Sequence, residues 1–191
     1  MKGHRLRLAT ILVTALAASQ FSAGTARAQD AAYSFSTAPT SVQTPLSLGF
    51  LFTANQDLTI VSLGYYDDTA EGFVTAHTVG IFDSTGTLMV SATLDAGADA
   101  VLDGHFRYVD IDPITLAAGA TYTAAATTGQ ADPWAYGDRG SSLADFDVHP
   151  AITIADNASR FVYQSDDQLR LPTATFGYTV YAGPNFKIGN D

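Results

Sequence analysis

From Ser47 onward the chain is a succession of short stretches rich in Val, Ile, Thr, Tyr and Phe, each broken by Gly, Asp, Asn or Pro. Strands with turns between them produce that pattern, and no window after Ser47 shows a helical period with caps. The spacing predicts strands over Ser47–Thr53, Leu58–Tyr66, Thr75–Asp83, Thr87–Leu94, His105–Ile111 and Thr121–Thr127, then Ala151–Ile154, Arg160–Tyr163 and Thr175–Tyr181. In the fourth, Leu88, Val90, Ala92 and Leu94 alternate with Thr87, Met89, Ser91 and Thr93, as in a strand with one buried side. Leu88, Val90 and Leu94 are therefore expected in the core beside Val79 and Ile81. Asp83-Ser84-Thr85-Gly86 reads as the tight turn before that strand, with Asp capping its start and Gly free to take the left-handed conformation. About nine short strands without helices point to an all-β antiparallel sandwich, jelly-roll or immunoglobulin-like.

The amino terminus has a different grammar. Lys2, Arg5 and Arg7 precede an apolar run from Leu8 to Ala18, and Ala26-Arg27-Ala28 closes the segment with small residues where a signal peptidase accepts them. The run is about 11 residues, against roughly 20 for a bilayer crossing. A cleaved signal peptide over 1–28 is expected, with a mature chain starting at Gln29. No integral membrane segment is expected in that mature chain. Residues 29–45 read as a loose leader or edge strand, and 46–191 as the sandwich domain. The chain has no cysteine, so neither a lipoprotein anchor nor a disulfide is available.

Charge narrows the partners. The precursor carries −10, but four of its nine basic residues (Lys2, Arg5, Arg7 and Arg27) and none of its 19 acidic ones lie before Gln29. The mature chain thus holds five basic residues against 19 acidic ones, a net −14. Nucleic-acid binding needs clustered Lys and Arg, so nucleic acid is excluded as a partner. Glu71 is the single glutamate; the other 18 acids are aspartates, which favour turns over helix interiors.

Several runs occur in the order found in one bacterial group. They are Leu48-Gly49-Phe50-Leu51-Phe52-Thr53, Val61 to Asp68, His77-Thr78-Val79-Gly80-Ile81-Phe82-Asp83 and Gly86-Thr87-Leu88. Phe106-Arg107-Tyr108-Val109, Leu116 to Tyr122 and Gly183-Pro184-Asn185-Phe186 complete the set. Over about residues 46–186 the chain resembles the exported β-sandwich domains often found in PEP-CTERM sorting-signal proteins. More distantly it resembles a domain of unknown function in bacterial surface and carbohydrate-associated proteins. The chain stops at Phe186-Lys187-Ile188-Gly189-Asn190-Asp191 without the Pro-Glu-Pro tail of that group. The resemblance implies fold and export, and no catalytic residues.

No Gly-x-Ser-x-Gly elbow, His-Glu-x-x-His pair or phosphate-binding glycine loop occurs, so no catalytic residue is assigned. His77 and His105 read as strand residues, and Arg107 as half of a structural ion pair. Asp67, Asp68 and Glu71 place three carboxylates within five residues, a candidate calcium site, since calcium takes six to eight hard oxygens. A solvated turn accounts for the same residues. The candidate ligand-binding residues are Trp134 and Tyr136, in the poorly periodic stretch from Gly129 to Pro150. Flat rings flanked by acceptors suit sugars, whereas a buried Trp134 would only plug the end of the sandwich. The expected role is a non-catalytic structural or surface- and matrix-associated protein, periplasmic or extracellular, with polysaccharide or surface components as partners. A carbohydrate-binding module and a polysaccharide hydrolase are the alternatives.

Overall fold

The computed structural model describes residues 29–41, 45–175 and 177–189, so the signal-peptide expectation for 1–28 lies outside the described residues. The strands are β1 (Gln29–Ala31), β2 (Tyr33–Ser34), β3 (Thr40–Ser41), β4 (Leu46–Ala54), β5 (Leu58–Tyr66), β6 (His77–Phe82), β7 (Leu88–Leu94) and β8 (Val101–Asp103). They continue as β9 (Phe106–Leu116), β10 (Thr121–Thr127), β11 (Trp134–Gly137), β12 (Asp147–Val148), β13 (Ile152–Thr153), β14 (Ser159–Tyr163), β15 (Val180–Ala182) and β16 (Pro184–Gly189). Two antiparallel sheets form the sandwich. One runs β1-β16-β5-β9-β8 and the other β13-β4-β10-β6-β7, with β14 beside β13 on the same edge of β4. A small sheet β15-β11-β3 and a β12-β2 pair complete the fold.

The core lies between the two large sheets. Phe50, Phe52, Val79, Ile81, Leu94, Ala124 and Ala126 come from one, and Ile60, Leu63, Phe186 and Ile188 from the other. Phe52 meets Phe186 with ring centroids 4.9 Å apart, one of the contacts that tie the sheets together. On the opposite face of the second sheet, Ala125 pairs with Gly49 on one side and Gly80 on the other. This row is nearly flat, and the segment after β14 lies against it. A Cβ on Gly80 would come within 2.7 Å of Leu169 Cδ2. Arg170 N donates to Ser47 Oγ at 2.9 Å, and Ser47 Oγ donates to Gln164 Oε1.

The hairpin at Asp83 forms as its residues require. Asp83 Oδ1 accepts from Thr85 N, Thr85 Oγ1 and Thr87 N, and Gly86 takes φ +87°. The expected burial of Leu88 is wrong. A bulge shifts the β6–β7 register: Ile81 pairs with Val90 but Phe82 with Leu88, so Met89 is the extra residue. Because side chains alternate with period two, one inserted residue carries Leu88 to the outer face. There it covers Gly80 beside Leu169 and stays 43% exposed, while Val90, Ala92 and Leu94 keep the core side. The strand expected over Thr75–Asp83 starts two residues later, and that over Thr175–Tyr181 reduces to Val180–Ala182. The strand β16 lies between β1 and β5 and begins with Pro184, where a strand can spare an amide hydrogen.

Candidate functional site: an aromatic cleft

The aromatic residues at one end of the sandwich come from three strands, β11, β14 and β15, and from the segment before β15. Phe161 of β14 is paired directly with Leu48 of β4, and Tyr163 with Leu46, so both pairs sit side by side two residues apart. Trp134 and Tyr136 have the same spacing on β11, and Tyr136 is in register with Tyr181 of β15. Period two therefore turns these pairs to common faces. Leu46, Leu48, Trp134, Phe161 and Tyr181 form a buried cluster apart from the main core, with Tyr136 and Tyr178 packed on it. Trp134 meets Tyr181 edge-on at 5.1 Å, and Tyr136 meets Tyr178 at 5.1 Å.

These side chains enclose a cleft of 330 Å³ whose wall also includes Ser41 and Tyr163. Six aromatic rings line it, and no Asp, Glu, Lys, Arg or His does among the described residues. Trp134 is 5% exposed, so it does close the end of the sandwich, yet it does so as a wall of the cleft. Its Nε1–H is buried without a hydrogen-bond partner among the described residues. Tyr163 stands 60% exposed at the rim. Both residues picked from sequence thus belong to one cleft. Phe161, Tyr163, Tyr178 and Tyr181 were missed, although the Phe161-x-Tyr163 spacing carries the same signal as Trp134-x-Tyr136.

The approach to Trp134 is set by a buried polar cluster. His77 is fully buried on β6 and stacks on Tyr65, centroids 3.8 Å apart and planes 4° apart, with Phe73 edge-on. Its Nδ1 lies 2.9 Å from the Thr127 carbonyl and its Nε2 3.0 Å from Asp132 Oδ2. The Thr127 carbonyl and an ionised Asp132 can only accept, so both ring nitrogens face acceptors. Asp132 also accepts from Val74 N, Thr75 N and Thr75 Oγ1 at 2.7–2.9 Å. Burial alone would push its carboxyl up; donation from His77, Val74 and Thr75 outweighs that and holds it at about 2.

A depressed carboxyl stabilises the fold above its unfolded value and loses that contribution as pH falls toward the folded one. Asp132 should therefore add about 2 kcal/mol that disappears between pH 4 and pH 2. Denaturant unfolding of the wild type should show that loss, and Asp132→Asn should flatten part of the slope. Equal acid slopes in the two proteins would contradict this account.

Asp67, Asp68 and Glu71, the three candidate calcium ligands, line one small pocket together, and two of them have partners within the chain. Asp67 is buried and accepts from Arg107 Nε at 2.6 Å and from Gly72 N at 3.0 Å. Asp68 accepts from the Tyr66 hydroxyl at 2.8 Å. Among the described residues no group of three or more His, Cys, Asp or Glu is placed to hold a metal ion, and the cation beside Asp67 is the Arg107 guanidinium. Arg107 further donates to the carbonyls of Ala70, Ala98 and Ala100, tying two loops to β9. His105 lies apart, stacked on Phe35 with its Nε2 near the Ser36 carbonyl. No helix among the described residues is long and apolar enough to cross a membrane.

Residues 33–182 match a family described as a domain of unknown function, DUF4082. No curated protein matches the chain.

Proposed function

The chain belongs to the DUF4082 family of domains of unknown function, and from that premise we propose that it is an exported, non-catalytic β-sandwich that binds neutral carbohydrate in the aromatic cleft. The carrying observation is a cleft lined, among the described residues, by six aromatic rings and no charged side chain, in a chain whose acids outnumber its bases 19 to nine. The axial C–H faces of a pyranose stack on such rings, with Tyr163 exposed at the rim. A uronate would find no cation among the described lining residues, in a chain of net negative charge. A volume of 330 Å³ suits one or two sugar rings rather than a long chain.

Two observations support the absence of catalysis. His77 is the buried partner of Asp132, and both its ring nitrogens are occupied, so it cannot reach a substrate proton. The sequence also has no Gly-x-Ser-x-Gly elbow and no His-Glu-x-x-His pair. Export is supported by the amino-terminal pattern of a basic cluster, an apolar run and small residues at Ala26 and Ala28. The likeness to sorting-signal domains supports a place among periplasmic, surface or matrix components.

Affinity electrophoresis tests the binding claim. Migration should be retarded in gels containing a neutral polysaccharide, and Tyr181→Ala should restore free mobility. Wild-type protein that runs unretarded across a panel of neutral glucans, mannans, xylans and galactans would remove the proposal.

A further inference from the structure

The connection between β10 and β11 is six residues long, from Thr128 to Pro133, and His77 touches both of its ends. Nδ1 holds the Thr127 carbonyl at the close of β10, and Nε2 holds Asp132, two residues before Trp134. Three further donors from Val74 and Thr75 fasten the same carboxylate. At the other end Thr128 N donates to the Leu46 carbonyl and Leu46 N donates to Thr128 Oγ1, joining the connection to the strand that floors the cleft. Gly129, at φ +62°, lets the chain pass so close to Thr75 that a Cβ would overlap its hydroxyl.

A buried polar contact is a poor stabiliser compared with apolar residues of the same volume, because both groups lose their water. Directed hydrogen bonds do, however, specify a single geometry, which apolar packing specifies less sharply. This pair sits where one geometry matters, directly before the strand that carries Trp134 and Tyr136. The titratable group packed against the pair from β5 is Tyr65, whose phenol burial pushes up, with Asp132 adding to the effect. Tyr65 therefore stays neutral and supplies stacking area rather than charge.

We propose that His77 and Asp132 are positioning residues for the aromatic cleft, clamping the β10–β11 connection so that Trp134 is held closed against Leu46, Leu48 and Tyr181. The role as a cleft for sugar rests on the function proposed above; the clamp itself does not need a ligand to be measured. Trp134 is the single tryptophan, so its emission and its quenching by acrylamide report the cleft in the free protein.

Asp132→Asn should raise the quenching constant several-fold and shift the emission to the red. Ile188→Ala, in the core remote from the cleft, serves as a control for loss of stability alone and should leave both at wild-type values under folding conditions. Should Asp132→Asn fail to fold, Thr75→Val removes a single donor and should give a smaller change of the same sign. Quenching in Asp132→Asn or Thr75→Val no greater than in Ile188→Ala would overturn the proposal and leave the pair a structural contact only. If the wild type binds no sugar yet these quenching differences appear, the proposed function fails while the clamp stands.

Discussion

Arg107→Met should cost the protein about 3–5 kcal/mol, because it leaves the Asp67 carboxylate buried with Gly72 N–H as its remaining donor. The substitution keeps most of the apolar stem and removes all four donor contacts, to Asp67, Ala70, Ala98 and Ala100. Three carbonyls then also lose a partner, and each exposes its loop to local opening. Adding Asp67→Leu should recover much of the loss, since the penalty belongs to the stranded charge rather than to the pair. The comparison is Arg170→Met, which breaks the exposed, solvent-screened pair with Asp166 and should cost far less. Denaturant unfolding of the four proteins measures this. Similar losses for Arg107→Met and Arg170→Met would mean that the Asp67–Arg107 contact is as solvated as a surface pair.

Leu94→Ala should cost about 2–5 kcal/mol and Leu88→Ala clearly less, although the two leucines share a strand and a sequence phase. Leu94 is fully buried opposite His77, whereas Leu88 lies beyond the bulge on the outer face. Its partial cover by Leu169 means that Leu88→Ala still loses some apolar contact. Equal losses at the two positions would place Leu88 in the core and remove the bulge. The same comparison tests the register of β6 against β7, on which the position of His77 depends.

What could be read from the residues alone depended on how local the cause was. The Asp83–Gly86 hairpin was legible because every bond that closes it spans at most four residues. Strands β4, β5 and β10 were legible because seven to nine residues carry several periods of alternation. Trp134–Gly137 and Asp147–Val148 are too short to show a period, so the stretch around them read as loop. The expected strands end at Tyr181, yet β16 is an inner strand whose first residue, Pro184, needs no amide hydrogen. The bulge at Met89 left no trace in an unbroken alternation.

The site divides along the same line. Trp134 and Tyr136 could be singled out because they lie two apart on one short segment. Their partners come from β14, β15 and the segment before it, and only pairing across β4 and β11 brings those rings together. The His77–Asp132 contact joins residues 55 apart, with no local motif at either end. Asp67 was noticed for its charge. Its actual partner, Arg107, lies 40 residues away and was recognised separately as half of an ion pair.

A titration of Trp134 fluorescence with neutral oligosaccharides, beside uronic-acid oligomers of the same length, tests the central claim most directly. Trp134 is the single tryptophan and forms a wall of the cleft, so no other residue can supply the signal. The account predicts a saturable change with at least one neutral sugar, no change with its uronate counterpart, and loss of the response in Tyr181→Ala. Emission that stays flat with every neutral sugar, or that responds equally to uronates, would contradict it.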